Sequence, residues 1–374
     1  MNDLAVVRIA RVRWAARIAA VAGFGSCLTA LTVARAHVFE AYWMAWIFWS
    51  SLGFGCLVIV MLHALTGGAW GDAIRPIAAA GAMTLPLAAL LLVPAFFGLA
   101  DIFPWAHAGA FHGRDWPHKR AYLSGGWFVV RSGGYFAVLA GLAWALGLWM
   151  RLPNSRPTFG AMSAGGLVAY FVVMLFASSD WIVSLEPQWF STMFVVIFAT
   201  DQFLSALALS VVVVTSLPRV EPLTAKQLSD LGNLLLAFVI FWAYVTFSQF
   251  LIIWSGNLPR EISWYVHRSS GGWPAVAIVL AVFQFAVPFA LLLLRITKRN
   301  ARSLGPVAAL ILFASLVHVW WLIAPSFQTT GIHLSFLELG AFAGVGGVWV
   351  AVFLGCLKRT LISMPSSGEE VAHA

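Results

Sequence analysis

The sequence has little charge. Only 10% of its 374 residues are Asp, Glu, Lys or Arg, whereas 61% are hydrophobic, and the mean hydropathy is +0.89. Soluble domains carry about 25% charged residues, so this composition excludes a globular core in water. The apolar surface must instead face lipid. The 19 tryptophans, many of them near the ends of apolar runs, are typical of residues that anchor helices among lipid headgroups.

Metal-ligating patterns are also missing. The three cysteines, Cys27, Cys56 and Cys356, stand alone in apolar segments, without a C-x-x-C or Cys/His spacing. An iron–sulfur or zinc centre built from this chain alone is therefore not expected. His63 and His318 lie near opposite ends of their predicted helices and do not form an axial haem pair. We expect no metal and no cofactor bound by this chain, and the scattered Lys and Arg exclude a nucleic-acid surface.

Apolar runs long enough to cross a bilayer dominate the chain. A crossing helix needs roughly 20 apolar residues. The sequence predicts an all-α membrane protein of about ten transmembrane helices, forming a single membrane domain over residues 14–357. The predicted helices span residues 14–33, 41–65, 74–99, 127–150, 159–182, 190–217, 231–254, 273–296, 304–323 and 334–357.

The positions of Lys and Arg predict the orientation. Most of the 22 basic residues fall on the side of the N-terminus, which by the positive-inside rule is the cytoplasm. The sequence thus predicts a cytoplasmic N-terminus (1–13) and a cytoplasmic tail (358–374). As an alternative, Arg8 to Arg17 with the following apolar run and Ala34-Arg35-Ala36 resemble a signal peptide. The length of the run and the arginine in the cleavage site favour a retained helix.

An internal repeat predicts two similar halves. Ser124-Gly125-Gly126-Trp127 opens the fourth predicted helix, and the same four residues open the eighth, 146 residues later. This offset carries the second and fifth predicted helices onto the sixth and ninth, so both copies have the same orientation. We expect two parallel-repeat four-helix bundles, over 41–182 and 190–323, with flanking helices at 14–33 and 334–357.

Ionisable residues inside predicted helices are candidates for function, because they are costly in lipid. Asp201 lies 12 residues past Trp189, about 18 Å into the predicted helix. With Ser205 one turn further on, it is a candidate for a proton path. The alternative is a neutral aspartic acid that joins helices by a hydrogen bond.

A second polar group is predicted near the outer membrane face. Arg131 and Asp180 are expected to pair, because an unpaired guanidinium there is costly. Such a cluster suits a quinol head, whose hydroxyls need proton acceptors, or it is a structural network that fixes helix register. Its predicted members are Arg131, Tyr135, Asp180, Gln249, His318, His333 and Glu338.

Three segments resemble one family. Residues 178–192 contain D-W-I-V-S-L-E-P-Q-W-F-S-T, similar to the D-W-x-x-S-L-E-P-x-W-F-S-T signature of the second NrfD/polysulfide-reductase-like quinone-type membrane subunit of alternative complex III. Residues 247–265, with F-S-Q-F-L-I-I-W-S-G-N-L-P and E-I-S-W-Y, resemble the seventh helix and outer loop of that subunit. Residues 333–347, with H-L-S-F-L-E-L-G-A-F and G-V-G-G, also resemble its tail.

The resemblance implies a cofactor-free subunit of a quinol:cytochrome c oxidoreductase in the bacterial inner membrane, not active alone. It implies a scaffold for partners that carry the cofactors, with a proton path and a quinone or menaquinone contact. The implied partners are a sister NrfD-like membrane subunit, which carries the clearer quinol site, an iron–sulfur subunit, and multihaem and monohaem cytochrome c subunits. The alternative from the residues alone is a proton-coupled secondary transporter, which the repeat and buried Asp201 also fit.

Overall fold

The computed structural model describes residues 3–107, 117–149, 156–217, 222–328 and 330–363, and within them every regular element is helical. The predicted tail after residue 363 lies outside the described residues. Sixteen α-helices are joined by 3₁₀ turns at Pro104–Ala106, Val183–Leu185 and Ala324–Ser326 and by a π-helical segment at Ala281–Ala286. The α-helices are α1 (Asp3–Ala30), α2 (Arg35–Thr66), α3 (Ala69–Ala82), α4 (Leu85–Phe96), α5 (Leu99–Ile102), α6 (Pro117–Tyr122), α7 (Gly125–Trp149), α8 (Arg156–Trp181), α9 (Phe194–Ser216), α10 (Ala225–Gly256), α11 (Pro259–His267), α12 (Trp273–Leu280), α13 (Val287–Leu293), α14 (Arg295–Lys298), α15 (Ala301–Ile323) and α16 (Phe336–Ser363).

Nine helical spans in the described residues are long and apolar enough to cross a membrane. They are α2, α3 with α4, α7, α8, α9, α10, α12 with α13, α15 and α16. The prediction of an all-α membrane protein of about ten helices is confirmed. α1, which corresponds to the first predicted helix, carries four arginines and is less apolar than these nine, so its crossing of the membrane stays a prediction.

Prolines interrupt two of the spans. The third predicted helix divides into α3 and α4 at Met83 and Thr84, because Pro86 lies in the first turn of α4 and has no N–H to donate. In the eighth predicted helix, Pro288 has no N–H to donate to the carbonyl of Gln284. The helix widens into the π-helical segment just before this proline. By contrast α10 runs unbroken for 32 residues, and a Thr224–Gln227 capping box starts it.

Helix contacts follow the repeat. α2 packs against α3 and α8, and α9, its equivalent at the 146-residue offset, packs against α10 and α15. α2 and α9 also cross each other at the centre, where Gly55 allows a close approach: a Cβ there would lie 1.9 Å from the Gln202 carbonyl oxygen. We call α2–α8 the first half and α9–α15 the second half. The exact bundle boundaries stay a prediction.

The loops divide the molecule into two ends. Segments 97–124, 182–193, 257–272 and 324–335 lie at one, the long-loop end, and segments 67–68, 217–224 and 294–300 lie at the other, the short-loop end. Residues 108–116, 218–221 and 329 within these segments lie outside the described residues. We expect the long-loop end to face away from the cytoplasm, as the basic residues predict.

The outermost helices pack on each other through small residues. α1 runs along α16 with Gly23 against Gly340 and Gly344, so close that a Cβ on Gly23 would lie 2.4 Å from the Gly340 carbonyl oxygen. Small residues at such spacing let two helix backbones approach in lipid. α16 in turn packs on α2 and α3, so both outermost helices lie against the first half.

This packing predicts that Gly23→Leu destabilises the protein, because the side chain would force α1 away from α16. We expect the free energy of unfolding to fall by about 1–3 kcal/mol, which is typical of overpacking. Thermal unfolding of the purified protein in detergent measures it. Gly25→Leu is the matched control, since a Cβ on Gly25 meets no other atom within 4 Å. Equal effects of the two changes would contradict the role given to this packing.

Candidate functional site

The seven residues predicted to form one outer cluster lie in three separate networks. Arg131, Tyr135 and Asp180 lie together in the first half. Gln249 and His318 line a large pocket in the second half. His333 and Glu338 share Gln328 beside the start of α16. Each network has its own chemistry.

The first-half network is a compensated ion pair. Arg131 Nε and Nη2 donate to the two Asp180 carboxylate oxygens over 2.8 and 3.0 Å, and the Tyr135 hydroxyl donates to Asp180 Oδ2 over 2.7 Å. The predicted pairing of Arg131 with Asp180 is confirmed. Arg131 also lies 3.8 Å over the Tyr122 ring and donates to its carbonyl. Burial, with a smaller contribution from the Asp180 charge, raises the pKa of Tyr122 to about 12.

Aromatic side chains hold this network in place. Trp181, next to Asp180, donates from its indole to Ser132 Oγ over 3.2 Å, and the Trp43 indole donates to the Trp181 carbonyl over 3.0 Å. Trp46 packs edge-on against Trp181, with the two ring centroids 5.1 Å apart. The charges of this network are therefore paired and largely enclosed, which favours the structural interpretation of these three residues.

The network near α16 orders a loop. The Gln328 amide nitrogen donates to Glu338 Oε1 and to the His333 carbonyl, both over 2.9 Å, and its oxygen accepts from the His333 backbone N–H. This arrangement fixes the chain before α16.

The second half contains a pocket of about 950 Å³. It lies between α10, α11, the α12–α13 span and α15, and its wall is mainly apolar and aromatic. Tyr244, Phe247 and Ile278 in this wall are more than half exposed. Because they belong to membrane-spanning helices, the pocket faces the lipid. The aromatic residues of the wall are Phe194, Trp242, Tyr244, Phe247, Phe250, Trp264, Tyr265, Phe285, Phe289 and Trp321.

A buried acid–base pair lies at the wall of this pocket. His318 lines the pocket, and its Nδ1 lies 3.2 Å from Asp201 Oδ1 on α9. Gln284 Nε2, from the π-helical segment, donates to the same oxygen over 3.1 Å. The His318 contact has the distance of an ion pair but not the angles of a hydrogen bond, so both ring nitrogens keep their hydrogen-bonding capacity.

Unpartnered polar atoms concentrate around this pair. Within the described residues, the buried side-chain atoms without a hydrogen-bond partner include Trp242 Nε1, Thr246 Oγ1, Gln284 Oε1, Ser315 Oγ and both ring nitrogens of His318. Leaving a buried donor or acceptor unpaired costs roughly 1–3 kcal/mol. Trp242, Thr246 and His318 line the pocket. The arrangement suits a ligand with a largely apolar body and a few polar atoms.

A second charged pair lies beside the pocket at the long-loop end. Arg268 lines the pocket, lies 3.5 Å over the Trp264 ring, and donates from Nη1 to Glu186 Oε1 over 3.0 Å. Desolvation lowers the pKa of Arg268 to about 10, partly offset by the Glu186 charge, so the guanidinium stays protonated at neutral pH. His267 and Ser326 also contact Glu186. Glu186 therefore ties three segments of the long-loop end together.

Asp201 lies nearer the long-loop end than the sequence predicts. The helix predicted from residue 190 begins at Phe194, because the segment after Pro187 forms turns. Asp201 is seven residues past this start, about 10 Å along the helix rather than about 18 Å. The hydroxyl of Ser205 donates to the Gln202 carbonyl on its own helix, and its part in a proton path stays a prediction.

The sequence analysis missed four residues of this region: Trp242, Gln284, Arg268 and Glu186. Gln284 is a polar side chain in an otherwise apolar span, a signal that sequence reasoning could have used. Glu186 lies inside the S-L-E-P motif itself. Trp242 resembles every other tryptophan of an apolar helix, and nothing local distinguishes it.

The 146-residue offset places different side chains at this pocket and at the matching positions of the first half. At the 146-residue offset, Arg131 and Tyr135 correspond to Ala277 and Ala281, both of which line the pocket. The first half thus places two long polar side chains where the second half has two methyl groups. Arg131 and Tyr135 are paired with Asp180 within the protein, whereas Ala277 and Ala281 line a cavity.

Comparison with protein-family models and with curated proteins finds no match to this chain.

We predict that Asp180→Asn lowers the free energy of unfolding by about 3 kcal/mol, because it leaves the largely enclosed Arg131 guanidinium without its counter-charge. Asp101→Asn is the matched control, since Asp101 pairs with an Arg35 side chain that is 59% exposed. This variant should lower the free energy of unfolding by only about 0–1 kcal/mol. Denaturation in mixed micelles measures both. Similar losses in the two variants would contradict the structural role of the first-half network.

Proposed function

We propose that the chain is a cofactor-free membrane subunit of a quinol-oxidising respiratory complex, and that the second-half pocket holds the quinone head group. The observation that carries this proposal is a lipid-facing aromatic pocket whose wall holds His318, backed by Asp201. Ligand pockets usually measure about 300–1,000 Å³. A quinone needs access from lipid, apolar walls for its ring and tail, and polar groups for its two oxygens, and this pocket supplies all three.

Quinol oxidation releases two protons and two electrons, and the protein has to receive both. In our proposal the imidazole of His318 accepts a hydroxyl proton, and Asp201 orients the ring and compensates its positive charge. Gln284 Nε2 holds the carboxylate in position. The electrons leave to cofactors in partner subunits, since we assign no redox group to this chain. Protons then pass through Asp201 toward the aqueous phase.

The resemblance supports the same assignment from another direction. Glu186 of the S-L-E-P-x-W segment contacts Arg268 in the pocket wall, and Trp189 of the same segment donates to the Glu261 carbonyl of α11. The segment that carries the resemblance thus organises the loops around the pocket. We propose iron–sulfur, cytochrome c and sister NrfD-like subunits as partners, with the long-loop end as their docking face. In the same proposal both termini lie in the cytoplasm and the membrane is the bacterial inner membrane.

Proton-coupled transport is the second candidate, because Asp201 is buried beside a large pocket. Transporters with repeated halves usually break equivalent helices in both halves. Here the span formed by α3 and α4 breaks at Thr84, whereas its equivalent in the repeat, α10, is continuous. This difference favours the oxidoreductase subunit.

Ala281→Trp is predicted to fill the pocket and abolish quinone binding. In the complex isolated through a tag on this chain, we expect quinol oxidation to fall at least about tenfold, equivalent to about 1.4 kcal/mol of binding energy. Labelling by a photoreactive quinone measures binding directly. Ala275→Trp is the matched control, since Ala275 lies on the same helix outside the pocket wall. Isolation of the chain without quinol-oxidising activity, or unchanged labelling in Ala281→Trp, would contradict the proposal.

Asp201→Asn is predicted to slow quinol oxidation by about 10²-fold or more. The reason is that His318, the proposed proton acceptor, loses the carboxylate that compensates its charge. Quinone labelling should persist, since Asp201 lies behind His318 and outside the pocket wall. Steady-state oxidation rates and labelling of the same preparation separate the two effects. An unchanged rate would make Asp201 a structural residue. Solute uptake into liposomes by the wild-type chain alone, lost in Asp201→Asn, would establish the transporter instead.

A further inference from the structure

The short-loop end of the α1–α16 contact holds an arginine in an unusual position. Arg13 lies on the face of α1 that packs on α16, with its guanidinium flat against Gly355: a Cβ there would lie 3.1 Å from Nη2 and 3.3 Å from Cζ. Its Nε is buried without a hydrogen-bond partner. A half-buried guanidinium therefore lies between two helices with unused donor capacity.

The surroundings of Arg13 are cationic. Arg359 lies one turn beyond Gly355, and both guanidinium groups are close to the Cys356 sulfur. The acidic residues of these two helices are Asp3 and Glu338, each several turns away. Among the described residues, Arg13 belongs to none of the ion pairs. A guanidinium held between two helices without an ion pair favours an anion nearby.

Two features identify the anion as part of a lipid. Arg13 lies at the predicted membrane boundary, next to Trp14, which is 66% exposed and of the residue type that anchors at headgroups. Towards the membrane centre, the outer face of α1 is apolar and open, with Val21 and Leu28 largely exposed. A molecule with an anionic head and apolar chains would match both surfaces at once.

We propose that the α1–α16 contact at the short-loop end binds the phosphate group of an anionic phospholipid, with Arg13 as its ligand. The acyl chains lie along the outer face of α1. Basic pockets between membrane helices bind anionic lipid headgroups in this way. The lipid links α1 to α16 in addition to their glycine contacts, and it does not depend on the function proposed for the pocket.

The test is a titration of the delipidated full-length protein, in the complex in which it is isolated, followed by native mass spectrometry. Phosphatidylglycerol and phosphatidylcholine with the same acyl chains are compared. We expect Arg13→Gln to weaken phosphatidylglycerol binding about tenfold. Arg11→Gln is the matched control, because it removes the same charge from an exposed position of α1, and it should change binding less than about twofold.

A second variant keeps the charge and moves the group. Gly355→Leu displaces the Arg13 guanidinium from α16 and should also weaken phosphatidylglycerol binding. This variant tests the proposal if Arg13→Gln does not fold. Equal losses in Arg13→Gln and Arg11→Gln, equally tight phosphatidylcholine binding, or no loss in Gly355→Leu would overturn the site. Displacement of the lipid by millimolar inorganic phosphate would assign it to free phosphate instead.

Discussion

Lipid offers no hydrogen bonds, and this constraint governs where polar side chains occur in the chain. Every polar group inside the helices must be paired within the protein, reach the interface, or meet a ligand. The Arg131 network of the first half is paired within the protein. Arg131, Asp180 and Tyr135 satisfy one another, and Trp181 and Trp43 close the network on its inner side.

In the second half, the buried polar atoms around His318 are not all paired within the protein. His318, Gln284 and Trp242 bring buried polar atoms together without enough protein partners. Their burial is costly, and natural interiors rarely tolerate several such atoms side by side. The protein retains them next to a pocket of ligand size, and its repeat supplies the contrast: Ala277 and Ala281 leave open the volume that Arg131 and Tyr135 occupy in the first half. The two predicted copies thus differ at matching positions: the first holds a paired polar network, and the second leaves a cavity of ligand size.

Much of the fold could be predicted because lipid permits few solutions. Apolar runs of sufficient length must be helices, so hydropathy placed the nine spans closely and the paired charges suggested the Arg131–Asp180 contact. The candidate site was harder. Asp201, His318 and Gln249 each carry a local signal, since each is polar in an apolar helix. Their grouping was not accessible, because it depends on how α9, α10 and α15 pack and on which residue begins α9.

The position of Gln284 shows what such a prediction would have required. Pro288 removes one backbone hydrogen bond, and the helix before it widens by a π turn that alters the direction of every side chain within the segment. Gln284 thereby reaches Asp201 on α9, a helix that runs in the same direction as the α12–α13 span. A regular 3.6-residue period through residues 273–296 would assign the faces of this span differently after the π turn. The same interruption separates α12 from α13 along the pocket wall. Pro288 therefore has two effects: it widens the helix beside the pocket, and it positions the Gln284 amide that donates to the buried Asp201 side chain.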